Sequence, residues 1–220
     1  MSEYANKRRR RTKHYPRCDV ARNLKSLPHA MNPDDVRTLL SVIRNVRDKA
    51  MVLLLLRTGM RIGELLNAKM SDVNVKEQKI LIFESAKNRV GRVVYVGDDA
   101  RNALKAWLRK REPDRDYLFY GQRGNPLTYT TARVMFMKYL DRAGLSDRKY
   151  TLHCLRHTYA SELLSAGMPL ECLQQLMGHS NIEVTRRYAR LTNKALESEY
   201  FKAMSIVERG EIHGYYRLNF

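Results

Sequence analysis

The hydrophobic period of this chain changes twice, and that pattern limits the folds it can adopt. Apolar residues recur at helical spacing as far as residue 68, alternate as in strands at 79–84 and 92–96, and then return to helical spacing. The polar stretch 85–91 joins the two strand-like runs as the long tip of a hairpin. The pattern predicts an α+β, mostly helical fold with one small antiparallel sheet of about three strands, the third at 117–120.

Capping residues and glycines set the bounds of the predicted helices. Asn32 precedes Pro33, and this pair suits a helix start because asparagine caps free backbone N–H groups and proline fits the first turn. Gly59 ends the apolar segment that begins near Asp48, since glycine readily adopts the left-handed conformation that terminates helices. These signals predict a first helix from Pro33 and others at 48–58, 61–68, 98–111, 128–143, 151–166, 170–177, 182–191 and 194–208.

The predicted elements belong to one domain that spans residues 31–209. Residues 1–30 lack apolar periodicity and contain Pro16 and Pro28, so we expect a basic N-terminal arm or linker there. Residues 210–220 follow the last predicted helix as a C-terminal tail. No internal repeat is visible, and a chain of 220 residues is long enough to bury a sizeable core.

The sequence also predicts the compartment. The longest apolar run, 50–56, is far too short to cross a bilayer, so we expect no membrane segment. Met1 opens a polar, basic stretch rather than a secretory signal. The three cysteines are few and odd in number, which argues against a disulfide framework: Cys18, Cys154 and Cys172. We therefore expect a cytoplasmic protein.

The charge of the chain indicates a polyanionic partner. It has 41 Lys and Arg residues against 23 Asp and Glu residues, a formal net charge of +18. Residues 1–25 carry +7 of this charge, so the rest of the chain keeps +11. A basic arm is common in many proteins, but a folded part that stays basic favours nucleic-acid binding, because neutralised phosphates release their counterions. Ribosomal and other cationic proteins have a similar charge, so this argument alone leaves them open.

Arg61 is the first candidate site residue. It begins the short helix predicted at 61–68, where a cation opposes the helix dipole and so does little for stability. An arginine does suit phosphate or carboxylate binding there, because its guanidinium group donates two parallel hydrogen bonds. Glu64 lies one turn later and can orient Arg61. A purely structural ion pair between the two explains the pattern equally well.

A second group of candidates lies on the helix predicted at 151–166. His153 and Arg156 are three residues apart and share a face of a helix that is otherwise mostly apolar. Charged groups on such a helix require partners. His157 lies one turn from His153, but the sequence offers no plausible third ligand nearby, so we expect no metal site.

Three further residues are weak candidates when each is taken alone. Lys87 lies in the hairpin tip, where it can contact backbone phosphates or donate a proton to a leaving oxygen. His179 lies at a break between predicted helices, directly after Gly178. Tyr188 follows nine residues later among three arginines, a setting more common for a nucleic-acid contact than for a nucleophile.

In their order and spacing, these residues strongly resemble the tyrosine site-specific recombinase (phage integrase) family. The resemblance covers roughly residues 31–200, nearly all of the predicted domain. It is carried by the stretches TGMRIGEL at 58–65, LHCLRHTYAS at 152–161 and LMGHS at 176–180. Because order, spacing and secondary-structure context agree, the match is specific, and it implies the fold of a tyrosine-recombinase catalytic domain.

The resemblance also implies a reaction. Members of the family cut and rejoin DNA through a 3′-phosphotyrosine, with no metal ion, ATP or other cofactor. By that analogy Tyr188 is the nucleophile, and Arg61 and Arg156 bind the non-bridging phosphate oxygens. The resemblance also implies that His179 donates a hydrogen bond to the same phosphate, that His153 assists proton transfer near the tyrosine, and that Lys87 protonates the leaving 5′-oxygen. His157 and Glu64 match positions with supporting roles.

The same resemblance implies partners. Double-stranded DNA is the substrate, and the C-terminal segment often docks on a neighbouring subunit and couples protomers in a tetramer. For the helix at 194–208, packing on its own domain is the other possibility. Family members usually carry a helical domain before the catalytic one, which residues 1–30 are too short to form. We therefore expect either a catalytic fragment or a small recombinase similar to the fimbrial-switch invertases.

The sequence leaves alternative activities open. A type IB topoisomerase or a hairpin telomere resolvase would share the fold, the site and the phosphotyrosine, although a topoisomerase relaxes supercoils without exchanging partners. A DNA-binding regulator with a silent site is the alternative from another class, and the intact set of six candidate residues argues against it. A metal-dependent nuclease needs a carboxylate cluster, which the sequence does not show.

Overall fold

The computed structural model describes residues 29–83, 91–121, 124–178 and 193–210. Within these ranges the chain forms α-helices and three strands in the following order: α1 (Pro33–Val42), α2 (Val46–Thr58), α3 (Ile62–Asn67), β1 (Val73–Asn74), β2 (Lys79–Phe83), β3 (Gly91–Tyr95), α4 (Asp98–Leu108), α5 (Tyr129–Arg142), α6 (Leu152–Ser165), α7 (Leu170–Met177) and α8 (Asn193–Arg209). Two short 3-10 helices lie at Met70–Asp72 and Ser146–Arg148. The prediction of a mostly helical α+β fold with a small antiparallel sheet is confirmed.

Side-chain caps account for where the first helices begin. The Asn32 side chain accepts a hydrogen bond of 2.7 Å from the backbone N–H of Asp35, as the sequence predicted. Helix α2 begins two residues earlier than the predicted Asp48 because Asn45 caps it, at 3.2 Å from the Asp48 backbone nitrogen. The helix ends, as predicted, at Gly59 in the left-handed conformation with φ of +60°.

The sheet has the strand order β1-β2-β3, and both pairings are antiparallel. The third strand is β1, so its predicted location at 117–120 was wrong. In that segment Tyr117 and Tyr120 form only isolated bridges. Leu118 instead donates its backbone N–H to Ala68 at 2.8 Å, and its carbonyl accepts the indole N–H of Trp107 at 3.0 Å. These partners use the backbone groups that a strand neighbour would need.

Helix α2 forms the centre of the domain. Every residue from Ala50 to Thr58 is buried, and the helix packs against α4 and α6. The main hydrophobic cluster extends from α1 through the sheet to α5 and the start of α6. A second cluster lies among α6, α7 and α8 and includes Tyr95 of β3.

Helix α8 packs on its own domain, which is one of the two arrangements considered for it. The Tyr200 hydroxyl donates to the backbone oxygen of Arg57 at 2.7 Å. Lys79 of β2 pairs with Glu197 at 3.3 Å. From residue 196 onward, the buried side chains of the helix are Leu196, Tyr200, Ala203, Met204 and Val207.

Other predictions fall outside the described ranges. They are the arm, the C-terminal tail beyond Gly210, the hairpin tip and the helix at 182–191, so the domain bounds stay predictions. Among the residues that the structure does describe, no helix has the length and apolar character needed to cross a bilayer.

Candidate active site

The turn after α2 is locked against α6. Gly59 has a positive φ, and a Cβ atom added there would lie 2.2 Å from the Tyr159 ring. Tyr159 is fully buried on α6. Only glycine therefore fits, and the close approach fixes where the chain leaves α2 and enters Arg61.

Arg61 caps α3 and contacts the end of α7. Its backbone N–H donates to Oε2 of Glu64 at 2.6 Å, and its Nη1 donates to Oε1 at 3.1 Å. Its Nη2 donates to the carbonyl of Gly178 at 3.4 Å. The side chain is 48% exposed, so its guanidinium group can still reach an incoming anion. The predicted ion pair with Glu64 therefore exists, and Arg61 also reaches a second element.

Arg156 is the buried member of the arginine pair. It is only 4% exposed, and its Nη1 and Nη2 atoms donate to the carbonyls of Gly59 and Met177, the latter at 2.6 Å. Burial lowers the pKa of Arg156 to about 10, and the positive charges of Arg61 and Arg92 contribute to the shift. Arg156 is still a cation at neutral pH. Two guanidinium groups thus converge on the consecutive carbonyls of residues 177 and 178.

Arg92 of β3 is a third arginine in the same place. Its Nη1 and Nη2 atoms each donate to Glu64 at 2.8 Å, and its Nε donates to the carbonyl of Leu176 at 3.0 Å. Burial raises the pKa of Glu64, but the hydrogen bonds from Arg92 and Arg61 outweigh it and leave that pKa below its ordinary value. One ionised carboxylate therefore faces several arginines, and the site has an excess of positive charge.

His153 lies one turn before Arg156 on α6 and is exposed. Its ring centroid is 4.5 Å from that of His157, and the rings meet edge-on. Burial lowers the pKa of His157, and the charges of His153 and Arg156 lower it further. His157 is therefore neutral at pH 7. Within the described ranges, no group of three or more His, Cys, Asp or Glu residues is placed to hold a metal ion.

Comparison with known proteins places the chain in a family. The model of the phage integrase family matches residues 29–195. The chain belongs to this family. The matched residues of this integrase domain include all six candidate catalytic positions, and the predicted resemblance is confirmed.

Named relatives of this integrase domain are tyrosine recombinases. It is 35% identical over 185 residues to tyrosine recombinase XerA of Pyrococcus horikoshii, covering 83% of this chain and 64% of that protein. The crystal structure of XerA recombinase has a TM-score of 0.63 and 29% identity, with 84% of this chain and 66% of that chain covered. The crystal structure of XerH recombinase bound to its difH substrate before cleavage has a TM-score of 0.62 and 28% identity, with 84% of this chain and 56% of that chain covered. The chain thus spans just under two thirds of the length of the first two.

The structure brings part of the predicted integrase site together. Arg61 and Arg156 meet at the end of α7, and His153 lies on the same helix as Arg156. Helix α7 ends at Met177, and its capping residue Gly178 lies directly before His179 in the chain. Three predicted site residues lie outside the described ranges: Lys87, His179 and Tyr188.

Sequence analysis missed Arg92 as a member of the site. A signal was available, because residues 92, 94 and 96 share one face of a strand and Val94 and Val96 are buried. An arginine on the inward face of a strand needs a charged or polar partner. The sequence did not reveal that this partner is Glu64, which lies 28 positions earlier.

Proposed function

We propose that this integrase domain cuts and rejoins double-stranded DNA in site-specific recombination: integration, excision or inversion. The Tyr188 oxygen attacks a backbone phosphorus, the bond to the 5′-oxygen breaks, and a 3′-phosphotyrosine and a free 5′-hydroxyl result. The observation that carries the proposal is the convergence of Arg61 and Arg156 on the carbonyls of Gly178 and Met177, immediately before His179 in the chain.

The arginine pair suits a phosphodiester in its transition state. Negative charge builds on the non-bridging oxygens during in-line attack, and preorganised cations stabilise it there. Arg156 is buried and held by two backbone carbonyls, so its charge acts in a medium of low dielectric. Arg61 is half exposed, so it can turn toward the second oxygen.

The remaining roles follow the family pattern. We assign proton transfer near the tyrosine to His153, a phosphate hydrogen bond to His179 and protonation of the leaving oxygen to Lys87. His157 supports His153 through their ring contact. We expect no metal ion, ATP or other cofactor, because the arginines supply positive charge and the phosphotyrosine keeps the bond energy for rejoining.

The proposed partners are DNA and further copies of the chain. The net charge of +18 favours a polyanion, and the related XerH recombinase has been solved with its difH substrate. We propose a tetramer on DNA, linked through the C-terminal segment. Because α8 packs on its own domain here, that link requires the tail at 211–220 or exchange of α8 between subunits. The reaction takes place in the cytoplasm, on the nucleoid.

A trapping assay with chelator tests the proposal. Nicked duplexes of varied sequence are mixed with the protein in EDTA, and denaturing gels report covalent adducts. The wild-type chain should form an adduct, and Tyr188→Phe should bind the duplexes without forming one. Tyr129→Phe is the matched control, since Tyr129 is an exposed tyrosine on α5, and its adduct should equal that of the wild type. An undiminished adduct from Tyr188→Phe would remove that residue from the nucleophile's role.

A further inference from the structure

Glu64 is shared unequally between two arginines. Arg92 holds both of its carboxylate oxygens at 2.8 Å, whereas the guanidinium group of Arg61 reaches only Oε1, at 3.1 Å. The side chain of Arg92 is 11% exposed and that of Arg61 is 48% exposed. The less exposed arginine, Arg92, therefore has the stronger, bidentate contact with the carboxylate.

This division affects what Arg61 can do. Without Arg92, the largely enclosed carboxylate of Glu64 would take Arg61 as its main cation, and its negative charge would also oppose an incoming phosphate. With Arg92 in place, that charge is already compensated. The guanidinium group of Arg61 keeps only the longer contacts, at 3.1 Å to Glu64 and 3.4 Å to the carbonyl of Gly178.

Arg92 also fixes the end of α7. Its Nε donates to the carbonyl of Leu176, and a Cβ atom added to Gly178 would lie 2.9 Å from its side chain. Arg156 holds the carbonyl of Met177 between these two positions. The three consecutive residues before His179 are thus held by three different arginines, each from a different element of the fold.

We propose that Arg92 is a positioning residue: it neutralises Glu64 and thereby releases the guanidinium group of Arg61 to bind the scissile phosphate. The guanidinium group of Arg92 is already paired with both carboxylate oxygens of Glu64 and with the carbonyl of Leu176, so Arg92 acts through Glu64 rather than on the phosphate. The inference rests on the proposed function, because it assigns Arg61 to the phosphate.

The first test is a set of variants in a single-turnover adduct assay on nicked duplexes: Arg92→Gln, Arg92→Lys, Glu64→Gln and the double variant Arg92→Gln/Glu64→Gln. Arg92→Gln should lower the rate by roughly 30-fold, and Arg92→Lys should recover part of it by restoring the charge. Because removing the carboxylate removes the need for Arg92, the double variant should be about tenfold faster than Arg92→Gln. Arg101→Gln, which removes a partly exposed arginine paired with Asp98 away from Glu64, is the matched control and should leave the rate unchanged.

A merely structural role for Arg92 gives a different result. The rates of all variants would then follow their unfolding temperatures, and Arg92→Gln would be as fast as the wild type at a temperature where both are folded. That outcome would overturn the proposal. The rates are therefore compared at a temperature where every variant is folded, because replacing both partners of an ion pair by neutral side chains can also restore stability.

A binding measurement separates this inference from the proposed chemistry. Arg61→Ala should weaken duplex binding by about tenfold in the wild-type background, but much less in the Arg92→Gln background, where Glu64 already holds Arg61. This comparison needs no cleavage. Equal weakening in both backgrounds would refute the role of Arg92 even if adducts form, and absence of a wild-type adduct would refute the proposed chemistry alone.

Discussion

Two buried arginines close to the end of α2 have opposite surroundings. Arg57 is 7% exposed and donates to Asp99 at 2.8 Å and to Glu162 at 2.7 Å. Arg156 is 4% exposed and donates to the backbone carbonyls of Gly59 and Met177. The first cation is neutralised by side chains, whereas the second is bound only by backbone dipoles at these contacts and has other arginines beside it.

The pKa values of the two arginines reflect this difference. Burial lowers the pKa of Arg57, but the carboxylates of Asp99 and Glu162 outweigh burial and raise it overall. The pKa of Arg156 falls to about 10 through burial and its arginine neighbours. A buried cation without a carboxylate partner costs stability. Carboxylates offset that cost at Arg57 but not at Arg156, as the proposed role of Arg156 in phosphate binding requires.

The largest expected effect concerns activity. Arg156→Gln should lower the rate of adduct formation by about 10³-fold, because it removes a cation from the transition state. The free energy of unfolding should change by less than about 1 kcal/mol, since an uncompensated buried charge is removed. Single-turnover trapping and urea denaturation measure the two quantities. A large loss of stability with little loss of rate would reverse the roles assigned to the two arginines.

The second effect concerns stability. Arg57→Gln should reduce the free energy of unfolding by about 3 kcal/mol, because Asp99 and Glu162 lose the cation that compensates them. Urea denaturation monitored by circular dichroism gives this value. Cleavage by the fraction that stays folded should remain within a few-fold of the wild type, and a loss comparable to that of Arg156→Gln would break the distinction between the two sites.

The smallest effect concerns pH. The carboxylates around Arg57 carry more negative charge than this one arginine can neutralise. Burial and the negative charge of Asp99 raise the pKa of Glu208. The folded chain thus binds the Glu208 proton more tightly than the unfolded chain, so this residue's contribution to stability increases as pH falls toward 4.5, the ordinary value. Glu208→Gln should therefore stabilise the protein by about 0.3 kcal/mol at pH 7, a small gain because solvent screens the group.

The matched measurement for this prediction is the same substitution followed from pH 8 to pH 5. The stabilising difference between Glu208→Gln and the wild type should shrink as pH falls, because protonation removes the negative charge of Glu208 just as the substitution does. Glu64, whose pKa is lowered, provides the opposite trend: its contribution is lost as pH falls below its ordinary value. If Glu208→Gln instead destabilised the protein at pH 7, and this loss vanished toward acid, Arg57 would need the Glu208 carboxylate.

Local features of the fold could be predicted from the sequence. The Asn32 cap and the Gly59 stop depend on adjacent residues, and the predicted helix bounds agree with the described ones to within about three residues. The Arg61–Glu64 contact was also predictable, because residues three apart on a helix are neighbours. The third strand was not, because β1 has only two residues and the Ala68 carbonyl that accepts from Leu118 lies far earlier in the chain.

Parts of the site depend on long-range contacts that no local pattern encodes. Arg57 lies at the end of an apolar run, and its partners Asp99 and Glu162 are 42 and 105 positions away. The meeting of Arg156 with the end of α7 depends on the Gly59–Tyr159 approach, which only the packed structure reveals. Family resemblance named Arg61 and Arg156 but not Arg57, and it did not show that Arg156 lacks a carboxylate partner where Arg57 has two.

The central claim is that Arg156, the buried cation without a carboxylate partner, binds the phosphate that Tyr188 attacks. The most direct test is mass spectrometry of peptides from the wild-type adduct trapped in EDTA. The account predicts a nucleotide linked to the peptide that contains Tyr188, with the yield lost in Arg156→Gln and retained in Arg57→Gln at a temperature where that variant is folded. A nucleotide on any other residue, or no adduct from protein that binds the duplex tightly, would contradict it.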